Sequence, residues 1–237
     1  MTAIGINGKM IALAAATVVV LAGQPSAIAH SLDSLQQEMF FREKYFQIVD
    51  QPAPDFVLAD ADGKTVGLPD FRGKVVVLNF IYASCTEVCP LHSEKIAEVQ
   101  GMINITPMKN GVMFVTITTD PLRDTTEILR DYGAQHGLDP ANWAFLTSGA
   151  DQPENTTRKL AERFGHKFTV AGDGVQMHGV VTHVIDREGG WRANFHGLEF
   201  GSTNLVVFVN ALVNDVHRPG ESEETRSSLW AWLRSLL

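Results

Sequence analysis

Residues 74–92, KVVVLNFIYASCTEVCPLH, constrain this chain more than any other stretch. From Lys74 to Tyr82 the run is almost unbroken in its apolar character, rich in Val and Ile, and short. That is the pattern of a strand covered on both faces of a sheet, which belongs at the centre of a fold. Pro90 has no N–H to donate and biases the residue before it away from helical geometry. The sequence therefore predicts Pro90 at the first position of a helix and Cys89 as its N-cap. Strand, short loop and helix then bring Cys85 and Cys89, the only cysteines in 237 residues, to the carboxyl end of the central strand. A helix N-terminus at Cys89 predicts a stabilised thiolate there. Closing so short a loop by a disulfide would stabilise the fold by only about 2 kcal/mol, although four-residue spacing allows the bridge. We read the pair as a chemical site that can switch between dithiol and disulfide, not as a structural staple.

The remaining elements are expected around this centre. A peripheral helix over Ser31–Tyr45 carries Leu32, Leu35 and Met39 at helical spacing, with Asp33 early and Arg42 and Lys44 late, as the helix dipole favours. Phe56–Leu58 and Thr65–Leu68 read as a hairpin turning at Asp62-Gly63. The helix after Pro90 is expected to reach about Met102, and Val112–Thr118 to follow as a strand parallel to the first, completing a βαβ unit. Asp120–Thr125, DPLRDT, lies at the end of that second strand and leads into a helix stopping near His136-Gly137. Asp120 and Asp124 are expected to cap that helix; the alternative is that they face the thiols. A strand over Ala144–Thr147, a helix over Asn155–Phe164, a loop or hairpin over Val170–Val175, antiparallel strands over Val180–Ile185 and Trp191–Phe195, and a final helix over Thr203–His217 complete the order. That order predicts a thioredoxin-like α/β fold, a central mixed sheet flanked by helices, with an N-terminal hairpin extension.

Residues 1–29 hold one charge, Lys9, then the apolar run Met10–Gly23 and Ala27-Ile28-Ala29, an A-x-A cleavage signature. They read as a signal peptide or an N-terminal anchor, so the chain is expected to be exported to the periplasm or the outer face of the cytoplasmic membrane. Residues 30–50 are then a peripheral helical segment, 51–217 the thioredoxin-like domain, and 218–237 an acidic linker with an amphipathic tail ending LWAWLRSLL. The formal net charge of −8 argues against nucleic acid as a partner. Membrane association is open through either the N-terminal segment or the tail. Trp230, Trp232, Leu233 and Leu237 of the tail suit a membrane interface, a partner, or the same molecule.

A strand running antiparallel to the central one begins at the edge where the cysteine strand ends, and His178 sits at that beginning. His183, five residues on, falls on the opposite face and is read as a hydrogen-bonded core or edge histidine. His92, three residues after Cys89, competes as a ligand but reads more simply as a solvated first-turn histidine, and Met177 as packing. His30, His136, His166, His196 and His217 show no partner. No proline lies between Pro153 and Pro219, so the cis-proline of thioredoxin-like redox enzymes is absent, and the thiols are C-x-x-x-C. Two thiolates and one imidazole suit copper in both of its oxidation states, Cu(I) and Cu(II). A structural zinc site lacks a clear fourth ligand. A peroxide reductase would want a Thr or Ser and an Arg beside one activated thiol, and no such group stands out.

FRGKVVVLNFIYASCTEVCP, TTDPLRDT, WAFLTSGADQ and MHGVVTHVIDREG together resemble the thiol, DPxRDT, W-x-FLTG and copper-histidine segments of the Sco/SenC copper chaperones. The family's histidine falls on His178, and His183 falls where an aromatic is usual; Thr86-Glu87 stand where Pro-Asp is frequent. The resemblance implies that Cys85, Cys89 and His178 bind copper, with Cys85 and Cys89 as a redox-active pair. It also implies an envelope cuproprotein as partner, such as the dinuclear copper site of a cytochrome oxidase subunit, to which copper is delivered or whose cysteines are reduced, with a thiol reductant behind it. The alternative is an enzyme, a metal-independent thiol-disulfide oxidoreductase or peroxide reductase.

Overall fold

Every residue from Val75 to Ile81 is buried, as the apolar run requires. The computed structural model describes residues 31–171 and 174–214, the side chains of residues 170–178 excepted. In chain order, helix α1 (Leu32–Arg42) is followed by strands β1 (Phe46–Pro52), β2 (Val57–Asp60), β3 (Thr65–Gly67) and β4 (Val75–Ile81). Then come α2 (Val88–Asn104), β5 (Val112–Thr118), α3 (Thr126–Gln135), β6 (Trp143–Thr147) and α4 (Thr156–Arg163). A hairpin of β7 (Lys167–Ala171) and β8 (Gly174–His178) precedes β9 (Val181–Ile185), β10 (Gly190–His196) and α5 (Ser202–Val213). Among the described residues the sheet runs β1-β10-β9-β4-β5-β6-β2-β3, with β7-β8 as a separate two-stranded unit.

A strand with both faces covered must also satisfy both of its edges. β4 does so against parallel β5, from Val75↔Val112 to Ile81↔Thr118, and against antiparallel β9, from Val76↔Ile185 to Asn79↔Thr182. Successive β4 side chains go to opposite layers. Val75 and Val77 join Ile96 and Val99 of α2, Phe208 and Leu212 of α5 and Met39 of α1. Val76, Leu78 and Phe80 join Leu160 of α4, Phe164, Trp191 and Phe56. Each such side chain is worth about 1.5–3 kcal/mol relative to exposure, and a one-residue slip would send the whole set to the wrong layer.

Several expectations need correction. The first helix is shorter than Ser31–Tyr45: Ser31 caps it, its Oγ accepting from the Ser34 amide, and it ends at Arg42. It is not peripheral, since Leu32 and Met39 are core residues. The chain then forms β1, an edge strand on β10 that was not expected. The β2-β3 hairpin is present, with Gly63 at φ +77° in its turn, and it pairs through β2 with β6 at the other side of the sheet. The described part of the last helix ends at Val213, so the expectation for 215–217, like those for residues 1–30 and the tail, lies outside the described residues. No helix among the described residues is long and apolar enough to cross a membrane.

Three histidines are built into the core. His183 is fully buried, as expected, with Phe164 and Trp191 against its ring. Trp191 Nε1–H donates to Asn194 Oδ1 at 2.8 Å, which fixes that atom as an acceptor. His183 Nδ1–H therefore donates to the same oxygen at 2.7 Å, and its Nε2 accepts from His166 Nε2–H at 2.9 Å. His92 is not solvated: it is 2% exposed, with Nε2 2.9 Å from Thr182 Oγ1. Burial pushes His92 down to about 3, with His166 nearby adding to the effect, and burial likewise pushes His166 down to about 4. Folded pKa values below the ordinary 6.5 mean that only the unfolded chain takes up these protons. Their contribution is full above pH 6.5 and is lost as pH falls toward 4 and 3, by roughly 2 kcal/mol per histidine at pH 5. Urea denaturation at pH 7 and pH 5, a window in which few other side chains titrate, should show this loss; an unchanged midpoint would contradict the buried neutral rings.

Candidate functional site

The loop from Tyr82 to Glu87 leaves the end of β4 and carries Cys85 into the start of α2. The Cys85 amide bonds the Tyr82 carbonyl at 3.1 Å, closing a turn. Both cysteines are free thiols. Cys85 is 8% exposed and Cys89 4%, packed with Ile81, Leu129, Tyr132 and Phe145. The Cys89 amide donates to Cys85 Sγ at 3.4 Å, and the two thiols influence each other's ionisation.

The two sulfurs sit in opposite electrostatic surroundings. Burial works against ionising Cys85, yet backbone donors at Cys89 and Glu87, with the Cys89 thiol and the Tyr82 phenol, outweigh it and hold Cys85 below its ordinary value. Burial pushes Cys89 far up, and the negative charges of Cys85 and Asp124 reinforce it. Tyr82 is driven up to about 12 by burial and by its bond to Cys85. The expected thiolate is thus on the wrong cysteine, because α2 starts earlier than predicted. Glu87 is its N-cap and Val88 its first residue, which puts Cys89 inside the first turn and Pro90 third, where a missing N–H is still tolerated. The free amides at this end point back at Cys85.

Asp124 holds this loop. It is 2% exposed, and its Oδ2 accepts from the Ala83 amide at 3.0 Å and from the Thr118 hydroxyl, tying the thiol loop to the end of β5. Burial raises its pKa, partly offset by those two donors. It does not cap α3; Thr125 does. Asp120 pairs with Arg123. A second tie runs from Tyr132, whose hydroxyl lies 2.8 Å from Ser93 Oγ and 3.5 Å from the Cys89 carbonyl.

His178 closes β8 opposite Lys167, three residues before β9, whose Thr182 pairs with Asn79 near the end of β4. Its backbone is therefore delivered toward the edge that carries the thiols; its side chain and that of Met177 lie outside the described residues. Among the described residues no group of three or more His, Cys, Asp or Glu is arranged to hold a metal ion.

A sequence profile described as SCO1/SenC matches residues 48–210, more than half of the chain. The chain belongs to the SCO1/SenC family. A SCO2-like protein of Rickettsia felis is 28% identical over 157 residues, 65% of this chain and 74% of the relative. The crystal structure of a SCO1/SenC family lipoprotein from Bacillus anthracis superposes with TM-score 0.62 at 24% identity, covering 70% of this chain and 97% of that one. Yeast Sco1, solved with copper bound, gives TM-score 0.60 at 18% identity over 73% of this chain and 94% of that one. At these identities the structural likeness concerns the fold, and the fold of this SCO1/SenC chain is thioredoxin-like.

Sequence reasoning placed Cys85 and Cys89 at the end of β4, where the structure puts them. It gave the thiol-facing placement of Asp124 only as the alternative to a cap, and it missed the Tyr82 contact and the His166–His183 pair. DPLRDT at a strand end gave a hint of Asp124; nothing local marks His166. At pH 7, iodoacetamide followed by peptide mass analysis should label Cys85 at least ~10-fold faster than Cys89. Faster labelling of Cys89 would restore the capping arrangement predicted from sequence. Asp124→Ala should cost roughly 1–3 kcal/mol in urea denaturation by leaving two donors unsatisfied, and Asp124→Asn, which keeps an acceptor, distinctly less. Equal effects would mean that the carboxylate does not hold the loop.

Proposed function

We propose that this chain binds one copper ion as cargo through the Cys85 and Cys89 thiolates and the His178 imidazole. It carries that ion in the cell envelope to a cuproprotein such as a cytochrome oxidase subunit. The carrying observation is two free thiols at the end of β4, joined by the Cys89 amide to Cys85 Sγ hydrogen bond, with the backbone leading from His178 into β9 at the same edge of the sheet. Two soft sulfurs and an imidazole from a different element suit Cu(I) and Cu(II) alike. Copper-bound structures of yeast Sco1 and of Arabidopsis thaliana ScoI, and a relative described as a member of the Sco family of cytochrome c oxidase assembly proteins, support this reading. Residues 1–29 act as an export signal or membrane anchor in the same proposal.

The asymmetry of the pair favours a second reading, dithiol reduction of a partner's disulfide. The Cys85 thiolate attacks one partner sulfur and releases the other as a thiolate. Cys89, losing its proton, then attacks Cys85 Sγ, leaving a Cys85–Cys89 disulfide and a partner dithiol that has gained two electrons. An external thiol reductant restores the pair.

Anaerobic copper titration of the reduced protein decides between them. We expect one ion per chain, affinity weakened on the order of 100-fold or more in Cys85→Ser, Cys89→Ser and His178→Ala, and little change in His196→Ala. A sample oxidised to the disulfide should retain no copper after desalting, because both sulfur donors are gone. Equal retention by the oxidised sample would remove the copper site, and metal-free turnover of a disulfide substrate would select the second reading.

A further inference from the structure

Two buried histidines meet at the base of the hairpin that carries His178. His166 follows the turn out of α4, where Gly165 has φ +85° and the His166 amide bonds the Ala161 carbonyl at 3.0 Å, and it is the last residue before β7. Its ring, 5% exposed, bonds His183 of β9 at 2.9 Å. His183 bonds Asn194 of β10 at 2.7 Å, and Asn194 Nδ2–H donates to Gln47 Oε1 of β1 at 3.0 Å. A line of side-chain hydrogen bonds thus crosses three strands of the main sheet and ends on the first step of the hairpin. One residue further, Lys167 pairs with His178. Gly179, directly after His178, has φ +97°, and its backbone stands against the His166 ring. We propose that the His166–His183 bond is a positioning device that fixes the β7-β8 hairpin, and hence the His178 backbone, relative to the thiol edge.

The inference rests on the copper reading above and adds to it the residues that place its nitrogen donor. Packing alone does not call for this chemistry. Phe80, Phe164 and Trp191 surround the pair, and apolar rings of similar size would fill that space without the cost of burying imidazole nitrogens. What the polar pair adds is direction. A hydrogen bond between two buried rings is satisfied in one relative placement of the β7 entry and β9, whereas apolar surfaces tolerate sliding. Among the described residues β7 and β8 form a two-stranded unit apart from the main sheet, so ladder pairing with the sheet does not place them. Arg158 of α4, over the Phe168 ring at 5.6 Å, and the Gly197 amide, on the Val180 carbonyl at 2.8 Å, hold the flanks of the hairpin. The histidine pair supplies the buried polar contact between its entry and β9. Loss of a partner that orients a metal ligand costs about 10–100-fold in affinity. His166 acts through a strand pair, so the lower end is expected.

Two variants of the full chain separate direction from packing. His166→Phe keeps a ring and removes the donor; His166→Gln keeps an N–H at similar reach. Far-UV circular dichroism checks that each is folded, and His183→Phe, which breaks the same bond from β9, replaces His166→Phe if that variant does not fold. Without metal, amides of 167–178 should exchange at least ~10-fold faster in His166→Phe than in the wild type, with those of 75–81 changed far less, and His166→Gln should restore the wild-type rate. With Cu(II) bound, His166→Phe should show affinity about 10-fold weaker and an altered electron paramagnetic resonance spectrum, both restored in His166→Gln. A packing role alone would move the denaturation midpoint and leave that spectrum as it is. Hairpin exchange or a Cu(II) spectrum that is unmoved by His166→Phe overturns the inference, as does a His166→Gln variant that behaves like His166→Phe. A wild-type protein that takes up no copper is a different failure: it overturns the copper reading and, with it, the role of the bond in placing a donor, even where the exchange rates follow His166.

Discussion

The burial of β4 on both faces governs the rest of the molecule. A strand so covered has no solvent to satisfy its edges, and it obtains its hydrogen bonds from β5 running alongside and β9 running against it. Those directions are not independent of function. A parallel β5 ends where β4 ends, and an antiparallel β9 begins there. The thiol loop, the DPLRDT loop and the β7-β8 hairpin are therefore delivered to one edge of one sheet, although 93 residues of sequence separate Cys85 from His178. Helices α2 and α5 on one layer and α4 with Phe56, Leu68 and Phe164 on the other keep that strand dry.

At this edge a short offset in a helix start decides which sulfur ionises more readily. With α2 beginning at Val88, the unpaired amides of its first turn are directed at Cys85, while Cys89 is drawn under the helix beside Tyr132 and toward the Asp124 charge. Asp124 contributes twice. Its oxygen holds the Ala83 amide and so the loop, and its charge adds to the burial that raises the inner thiol's pKa. A buried carboxylate is costly unless its partners are good, and here the backbone N–H and the Thr118 hydroxyl offset part of that cost.

The sequence disclosed the centre of this fold because its signal is strong: two mostly apolar runs, Val75–Ile81 and Val112–Thr118, joined by a helix admit one arrangement. The edge was harder to see. β1, FQIVDQP, is mostly exposed, is broken by a bulge around Asp50, which has φ +59°, and ends in a proline, so its alternation is blurred. The α2 cap was misplaced because proline is tolerated throughout the first turn, so Pro90 marks a helix start only to within a turn. His92 was misread although the signal was present. It recurs with Ile96, Val99 and Ile103 at spacings of four, three and four on the buried face, and a polar residue type hid a core position. The His166–His183 contact had no local signal, because the pair spans a helix end and a strand and is set by packing on Phe80 and Phe164 and by the Asn194 hydrogen bond.

Under the proposed copper reading, these surroundings order the approach of the ion. Cys85 lies below its ordinary pKa and is the sulfur that ionises more readily, while an arriving positive charge would offset the burial and the Cys85 and Asp124 charges that hold the proton on Cys89. A soft cation is thus met first by Cys85. The second sulfur joins as its proton leaves, and binding is tied to proton release at the inner thiol. The same inequality serves release. Protonation of Cys89 is favoured by burial and by the Cys85 and Asp124 charges, against the Tyr82 backbone hydrogen bond, so under this reading a partner that draws the ion away would be assisted by the return of that proton.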